Sequence, residues 1–311
     1  MKLAFVFPGQ GSQTIGMMNG FAAHPVVRET FAEASDALGD DLWKLVEEGP
    51  AEALNLTTNT QPVMLTAGVA IYRAWIASGG AKPAVVAGHS LGEYTALVAA
   101  GALAFADAVP LVRFRAQAMQ DAVPPGIGAM AAIMGGDDDA VAAACLEAAQ
   151  GQVVEPVNFN APGQVVIAGH REAVERAIAL ARQKGAKRGV LLPVSAPFHS
   201  SLLKPAADKL DARLAQVTFA SPAIPVIHNV DVSEHSAPDA IRAALAQQAA
   251  SPVRWTATVR HMAALGVTHV VECGPGRVLA GMNKRIAESL ESFALIDSDA
   301  INEALAALQG A

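Results

Sequence analysis

Five residues constrain this chain more than any others: Gly88-His89-Ser90-Leu91-Gly92, set between a short apolar run and an amphipathic one. The run at 84–87, Ala-Val-Val-Ala, is the continuous apolar kind expected of a parallel strand covered on both faces. From 91 to 101 the apolar residues fall at 91, 94, 97 and 98, which predicts a helix. Gly-x-Ser-x-Gly between a strand and a helix is the pattern of a nucleophile elbow. A sharp turn lifts the serine hydroxyl out of the sheet, the flanking glycines permit close backbone approach, and the helix N-terminus favours a developing oxyanion. The bare pattern turns up by chance in about one chain in ten of this glycine content. The competing reading is a plain strand-to-helix turn with a capping serine; the strand–turn–helix setting favours the elbow.

The rest of the chain supplies a fold around that turn. Residues 3–7 read as a buried strand, followed by the tight turn Gly9-Gln10-Gly11-Ser12. Helices are expected over 51–54, 61–78 and 107–120, with Pro62 at the start of its helix, where proline is tolerated. This succession indicates an α/β fold with a doubly wound, α/β-hydrolase-like parallel sheet. The texture changes at Pro124-Pro125-Gly126. Strand 129–134, helix 138–149, strand 153–158, strand 164–168, helix 171–184 and strand 187–192 then follow in βαββαβ order, the ferredoxin-like sequence of elements. We expect residues 126–195 to be an inserted small subdomain, and 1–125 with 196–311 to form the large one. Beyond it come helix 206–215, strand 225–229, helices 238–249 and 256–265, strand 269–272, a helix from 278, and a last short strand and helix.

Composition narrows the function. Net charge is −7 and no Lys/Arg-rich run occurs, so binding to a nucleic-acid backbone is disfavoured. One Lys before a five-residue apolar run is too short for a signal peptide, and no apolar stretch approaches the roughly 18 residues of a membrane span. Two cysteines, Cys145 and Cys273, do not make a disulfide framework. The expectation is a soluble, cytoplasmic protein with reduced thiols and no membrane partner.

A serine nucleophile needs a base. Of eight histidines, His89 adjoins Ser90, but neighbouring side chains on a turn point apart. His199 lies in a proline-bounded loop just after the inserted unit, where it could reach a strand end. His24, His170, His235 and His261 read as surface residues. No acidic residue clearly completes a Ser-His-Asp triad, which sets the chain apart from a typical esterase. The Gly9–Gly11 turn lacks the lysine of a phosphate-binding loop; it could instead offer a backbone N–H to an oxyanion, and its residues alone do not choose. No metal-ligand spacing is present.

Six motifs in order then carry a resemblance. They are Gly9-Gln10-Gly11-Ser12-Gln13, Gly88-His89-Ser90-Leu91-Gly92-Glu93-Tyr94, Arg115 with Met119-Gln120, Asn160-Ala161-Pro162-Gly163-Gln164, Pro197-Phe198-His199, and Glu272-Cys273-Gly274-Pro275-Gly276. Together, over about residues 1–300, the chain resembles the malonyl-CoA:acyl carrier protein transacylases of bacterial fatty-acid synthesis. The resemblance implies an acyltransferase that moves malonyl from coenzyme A to the phosphopantetheine thiol of acyl carrier protein by a ping-pong route. It implies no tightly bound cofactor and a monomer. Position by position it implies Ser90 as the acylated serine, His199 as the base, and the backbone N–H groups of Gln10 and Leu91 as the oxyanion hole. It implies Arg115 as the grip on the malonyl carboxylate and Gln248, through its main-chain carbonyl, as the group orienting the histidine.

An arginine on a helix is most often solvated. In a closed pocket its planar fork binds a carboxylate, and an acetyl group would leave that charge unpaired. Arg113, two residues away, would point to another face. Phe198 would crowd a branched α-carbon. The rivals are a serine hydrolase, which would have an aspartate and lack the arginine; a non-catalytic carrier-binding relative, which would lack Ser90 or His199; and an acyltransferase serving a polyketide carrier, with the same chemistry.

Overall fold

The computed structural model describes residues 1–194 and 196–309. They build an α/β fold with two separate sheets, one of them parallel. The parallel sheet has five strands: β1 (Leu3–Phe7), β2 (Val85–Gly88), β7 (Val226–Ile227), β8 (His269–Cys273) and β9 (Glu291–Leu295), in the order β7-β2-β1-β8-β9. β1 lies at the centre, paired with β2 (Ala4 beside Val85) and β8 (Leu3 beside His269). Its five residues are all buried because the two-residue period sends them to two different cores. Phe5, Phe7, Val86 and Val271 meet the helices Thr57–Ala77 and Phe105–Asp121 on one face. Ala4, Val6, Val85 and Val270 meet Trp255, Val259 and Met262 of the helix Trp255–Ala264 on the other.

The second sheet is antiparallel, with β3 (Gly128–Met134), β4 (Val154–Ala161), β5 (Gln164–His170) and β6 (Arg188–Leu191) in the order β4-β5-β3-β6. Helices Asp138–Ala149 and Arg171–Gln183 pack on one face over Ala131, Ile133, Val165 and Ile167. The opposite face, with Met130, Val157 and Val166, turns toward Phe198 and the parallel sheet. β4 is stitched to the large part of the chain where Phe159 N–H donates to the Val253 carbonyl at 3.0 Å and Val253 N–H to the Val157 carbonyl at 2.9 Å. We propose residues 126–195 as a subdomain on the strength of their own apolar cluster; the boundary at 195, like the end of the large part at 310–311, lies outside the described residues.

Several local expectations need correction. The helix expected over 61–78 begins four residues earlier, at Thr57, so Pro62 sits inside it rather than at its start. Pro62 takes the N–H away from the carbonyl of Thr58, yet Thr60 Oγ1, bonded to the Leu54 and Leu56 carbonyls, secures the extra turn. The strand expected over 225–229 shortens to Val226–Ile227, because His228 and Asn229 turn off to bond beneath the elbow. The helices Pro25–Leu38 and Leu42–Glu48 had no counterpart in the sequence reading. Among the described residues no helix is long and apolar enough to cross a membrane.

The elbow glycines are required by packing. A Cβ on Gly92 would lie 2.0 Å from the Phe7 carbonyl oxygen, and one on Gly88 would lie 1.8 Å from the Gly92 carbonyl carbon. Both neighbours are backbone, which cannot step aside. Gly92→Ala and Gly88→Ala are therefore expected to cost about 3 kcal/mol or more. Gly281, in the helix Val278–Ile286, has open space where its Cβ would be, so Gly281→Ala should be neutral or stabilise by up to about 1 kcal/mol. Chemical denaturation of the three variants checks the contrast; equal effects would sink it.

Candidate active site

Ser90 stands at the tip of the turn between β2 and the helix Gly92–Ala99, with φ at +52°. That left-handed conformation is strained for a residue with a Cβ. Two side chains hold it there. Asn229 accepts the Ser90 N–H at 2.7 Å and donates to the Gly88 carbonyl at 2.6 Å. Gln248 Nε2 donates to the Ser90 carbonyl at 2.9 Å.

The structure brings Ser90 and His199 together across 109 residues of sequence, with Ser90 Oγ 2.7 Å from His199 Nε2. His199 Nδ1 lies 3.0 Å from the Gln248 main-chain oxygen. A carbonyl can only accept, so Nδ1 carries the proton and Nε2 faces the serine as an acceptor. The imidazole is buried, and its φ of +66° is fixed in a loop that Ser200 Oγ closes by donating to the Pro197 carbonyl at 2.7 Å. Burial first, and then the Arg115 charge, push His199 down to about 3. It is therefore a neutral imidazole at ordinary pH. No carboxylate touches it among the described residues.

Arg115 projects from the helix Phe105–Asp121 and is 1% exposed. Its Nη1 donates to Gln61 Oε1 at 2.7 Å; its Nη2 donates to Gln248 Oε1 at 2.9 Å and to Ser90 Oγ at 3.1 Å. Its Nε is buried without a hydrogen-bond partner among the described residues. Burial weakens its hold on the proton relative to a free guanidinium, but an arginine stays charged. Arg113 points elsewhere and pairs with Asp40 at 2.9 Å.

Gln10 and Leu91 line the same cavity as Ser90. Neither backbone N–H has a partner among the described residues, so both are free to donate to an oxygen placed there. Thr57 Oγ1 donates to Gln10 Oε1 at 2.8 Å and accepts from Gln61 Nε2 at 3.2 Å, which links the Gln10 turn to Arg115. The cavity has a volume of about 630 Å³. It lies between the C-terminal ends of β1 and β2 and the open face of the antiparallel sheet, with Met119, Met130, Val194 and Phe198 as apolar walls.

His89 turns away from the serine, as neighbours on a turn do, and its Nε2 lies 2.8 Å from Asn160 Oδ1. Burial lowers its proton affinity. His24, His170, His235 and His261 sit half-buried at the surface. Among the described residues no group of three or more His, Cys, Asp or Glu side chains could hold a metal ion.

Three polar residues of the site have no role assigned from the sequence: Gln61, Asn160 and Asn229. Asn160 stood out only as part of a motif. Gln61 and Asn229 had one signal each. Gln61 is an amide next to the mostly apolar stretch 62–71 of its helix, and Asn229 follows the C-terminal end of an apolar strand, where α/β sheets gather their ligands.

With this geometry in view, similarity to known proteins can be placed on it. The pattern of the acyl transferase domain family matches residues 4–305. The malonyl CoA-acyl carrier protein transacylase of Escherichia coli (strain K12) is 60% identical over 305 residues, which span 98% of this chain and 99% of that one. The crystal structure of the acyl-carrier-protein S-malonyltransferase from Burkholderia pseudomallei 1710b superposes with a TM-score of 0.97 at 64% identity, covering 98% of this chain and 100% of the other. A malonyl-transacylase solved in complex with a type II PKS acyl-carrier protein superposes with a TM-score of 0.97 at 53% identity, covering 99% and 100%.

Proposed function

The chain belongs to the acyl transferase family, and from that membership we propose that it transfers a malonyl group from malonyl-CoA to the phosphopantetheine thiol of acyl carrier protein, through an ester on Ser90. The observation that carries this reading is the placement of the Arg115 fork 3.1 Å from Ser90 Oγ, beside a neutral His199 at 2.7 Å.

The geometry suggests the following course. His199 Nε2 takes the Ser90 proton as Oγ attacks the thioester carbonyl. Charge develops on the carbonyl oxygen, and the N–H groups of Gln10 and Leu91 meet it. The intermediate collapses, the C–S bond breaks, and coenzyme A leaves with the proton from His199. Arg115 holds the malonyl carboxylate throughout, so the ester waits with its acyl group fixed. The carrier thiol then gives its proton to His199 and attacks the ester, and Ser90 leaves with that proton. The Gln248 carbonyl keeps the imidazole in the one tautomer that serves both halves. No tightly bound cofactor is needed, since the two thiol handles belong to the substrates. We place the reaction in the cytoplasm, carried out by a monomer.

Intact-protein mass spectrometry tests the reading. Mixing with malonyl-CoA should add one malonyl group, acetyl-CoA should add its acyl group far more slowly, and holo carrier protein should discharge the malonyl adduct. Free malonate without an adduct would point to hydrolysis instead. The state of His199 gives a second expectation. A base depressed to about 3 is already neutral at mildly acidic pH. So kcat/KM for acylation should hold its plateau from about pH 8 down to about pH 5, and an acid limb at the ordinary histidine value of 6.5 would contradict the assignment.

A further inference from the structure

A carboxylate that the mechanism does not use lies beneath the elbow. Glu93 is the second residue of the helix Gly92–Ala99 and is fully buried. Its Oε1 accepts from His228 Nδ1 at 2.7 Å. Its Oε2 accepts from the Asn229 backbone N–H and from Gln248 Nε2, both at 2.9 Å. His228, Asn229 and Gln248 are buried with it. Burial alone would lower the proton affinity of His228, but the carboxylates of Glu93 first, and then of Asp231 and Glu234, more than reverse this, and Nδ1 donates its proton to Glu93.

Two of the three partners of Glu93 make a further contact with the reacting groups. Asn229 takes the Ser90 N–H. Gln248 does more. Both hydrogens of its amide are used, one on Glu93 and one on the Ser90 carbonyl, and its Oε1 is used by Arg115. Its backbone oxygen receives the His199 proton. An amide with its donors and acceptor all engaged has a single orientation. Among the described residues Glu93 Oε2 is the one acceptor that grips Asn229 and Gln248 at once.

We infer that Glu93 is a positioning residue: through Asn229 and Gln248 it sets the strained Ser90 backbone, the His199 ring and the Arg115 fork in mutual register. The inference rests on the acyl-transfer reading above. Glu93 does here, at one remove, what a triad aspartate does by direct contact. What matters is where its oxygen sits, because the groups it aligns are reached through hydrogen bonds, and a misplacement of about 1 Å at reacting groups costs on the order of 10²-fold in rate.

Two variants separate placement from charge. Glu93→Asp keeps the charge and withdraws the oxygens by one methylene. Glu93→Gln loses the charge but keeps an oxygen at the Oε2 position, while its NH₂ turns to His228, whose proton moves to Nε2. The measurement is single-turnover acylation at saturating malonyl-CoA, read by mass spectrometry as two quantities: the fraction of chains that acylate, and the rate per acylating chain. Glu93→Asp should acylate fully but on the order of 10²-fold more slowly, and Glu93→Gln should slow by only a few-fold. A purely structural role would lower the fraction and leave the rate alone. That result, the reverse order of the two variants, or wild-type rates in both would overturn the inference. If the wild-type protein forms no adduct, the acyl-transfer reading has failed instead, and the two failures are told apart.

Discussion

Ser90→Ala is expected to abolish the malonyl adduct and to lower turnover by about 10⁴-fold or more, while the protein stays folded. Loss of the nucleophile cannot be offset by His199 or Arg115, since both act on a group bound to Oγ. The fold has little to lose. Among the described residues the hydroxyl bonds only to His199 and Arg115, and both line the cavity, where water can take its place. Ser90→Gly extends the argument. The serine holds φ at +52°, where a Cβ costs about 1 kcal/mol or more and glycine is at ease. The glycine variant should be as inactive as the alanine one and more stable than wild type by about 1 kcal/mol. Acylation assays beside urea titrations read both halves. An adduct on Ser90→Ala would mean a different nucleophile, and a destabilised Ser90→Gly would mean that the elbow stores no strain.

Arg115→Ala is expected to lower kcat/KM for malonyl-CoA by about 10³-fold, or roughly 4 kcal/mol, with far less effect on acetyl-CoA. The guanidinium is buried, and no carboxylate contacts it among the described residues. Its two amide partners, Gln61 and Gln248, are neutral. A cation in that state gains strongly from an anionic substrate group, and an acetyl group offers none. Arg115→Lys should fall between the two, because a single ammonium cannot span Gln61 and Gln248 while also reaching a carboxylate. Stability should move much less than activity, since water from the cavity can reach the exposed amide oxygens. The readout is the ratio of malonyl to acetyl transfer. A ratio unchanged by Arg115→Ala would place the source of selectivity elsewhere, for example in the walls made by Met119 and Phe198.

What could be read before the structure was whatever depends on near neighbours. The elements of the antiparallel sheet were legible because the alternation between two-residue and helical periods occurs within each segment, and helix Asp138–Ala149 falls where expected. The elbow was legible because its strand, glycines and helix follow one another directly in sequence, although the contact that demands glycine at 92 is with the distant Phe7 carbonyl. Helix Pro25–Leu38 had a signal that went unread, with Val27, Phe31 and Ala34 on its buried face. The roles of His199, Arg115 and Gln248 came from family resemblance, since spacing alone could not choose them. The supporting polar groups were beyond reach for a physical reason. Gln61 meets Arg115 across 54 residues, Asn229 meets Ser90 across 139, and Glu93 meets Gln248 across 155. An ordinary glutamate or asparagine becomes part of a site only when the tertiary fold closes over it.

The position of β1 has a consequence for how the protein is made. The central strand β1 leaves the ribosome well before β8, one of its two neighbours, at His269–Cys273. Ser90 emerges first, then His199, its proposed base, after the whole antiparallel sheet, and last Gln248, whose carbonyl bonds to that histidine. Such long-range parallel pairing forms slowly and late. A nascent or truncated chain that stops short of Gln248 thus exposes the serine without its fixed histidine and cannot spend thioesters from the cell's pool. The order of the elements along the chain works as a safeguard in time: the polypeptide becomes reactive only once Gln248 has been made and placed.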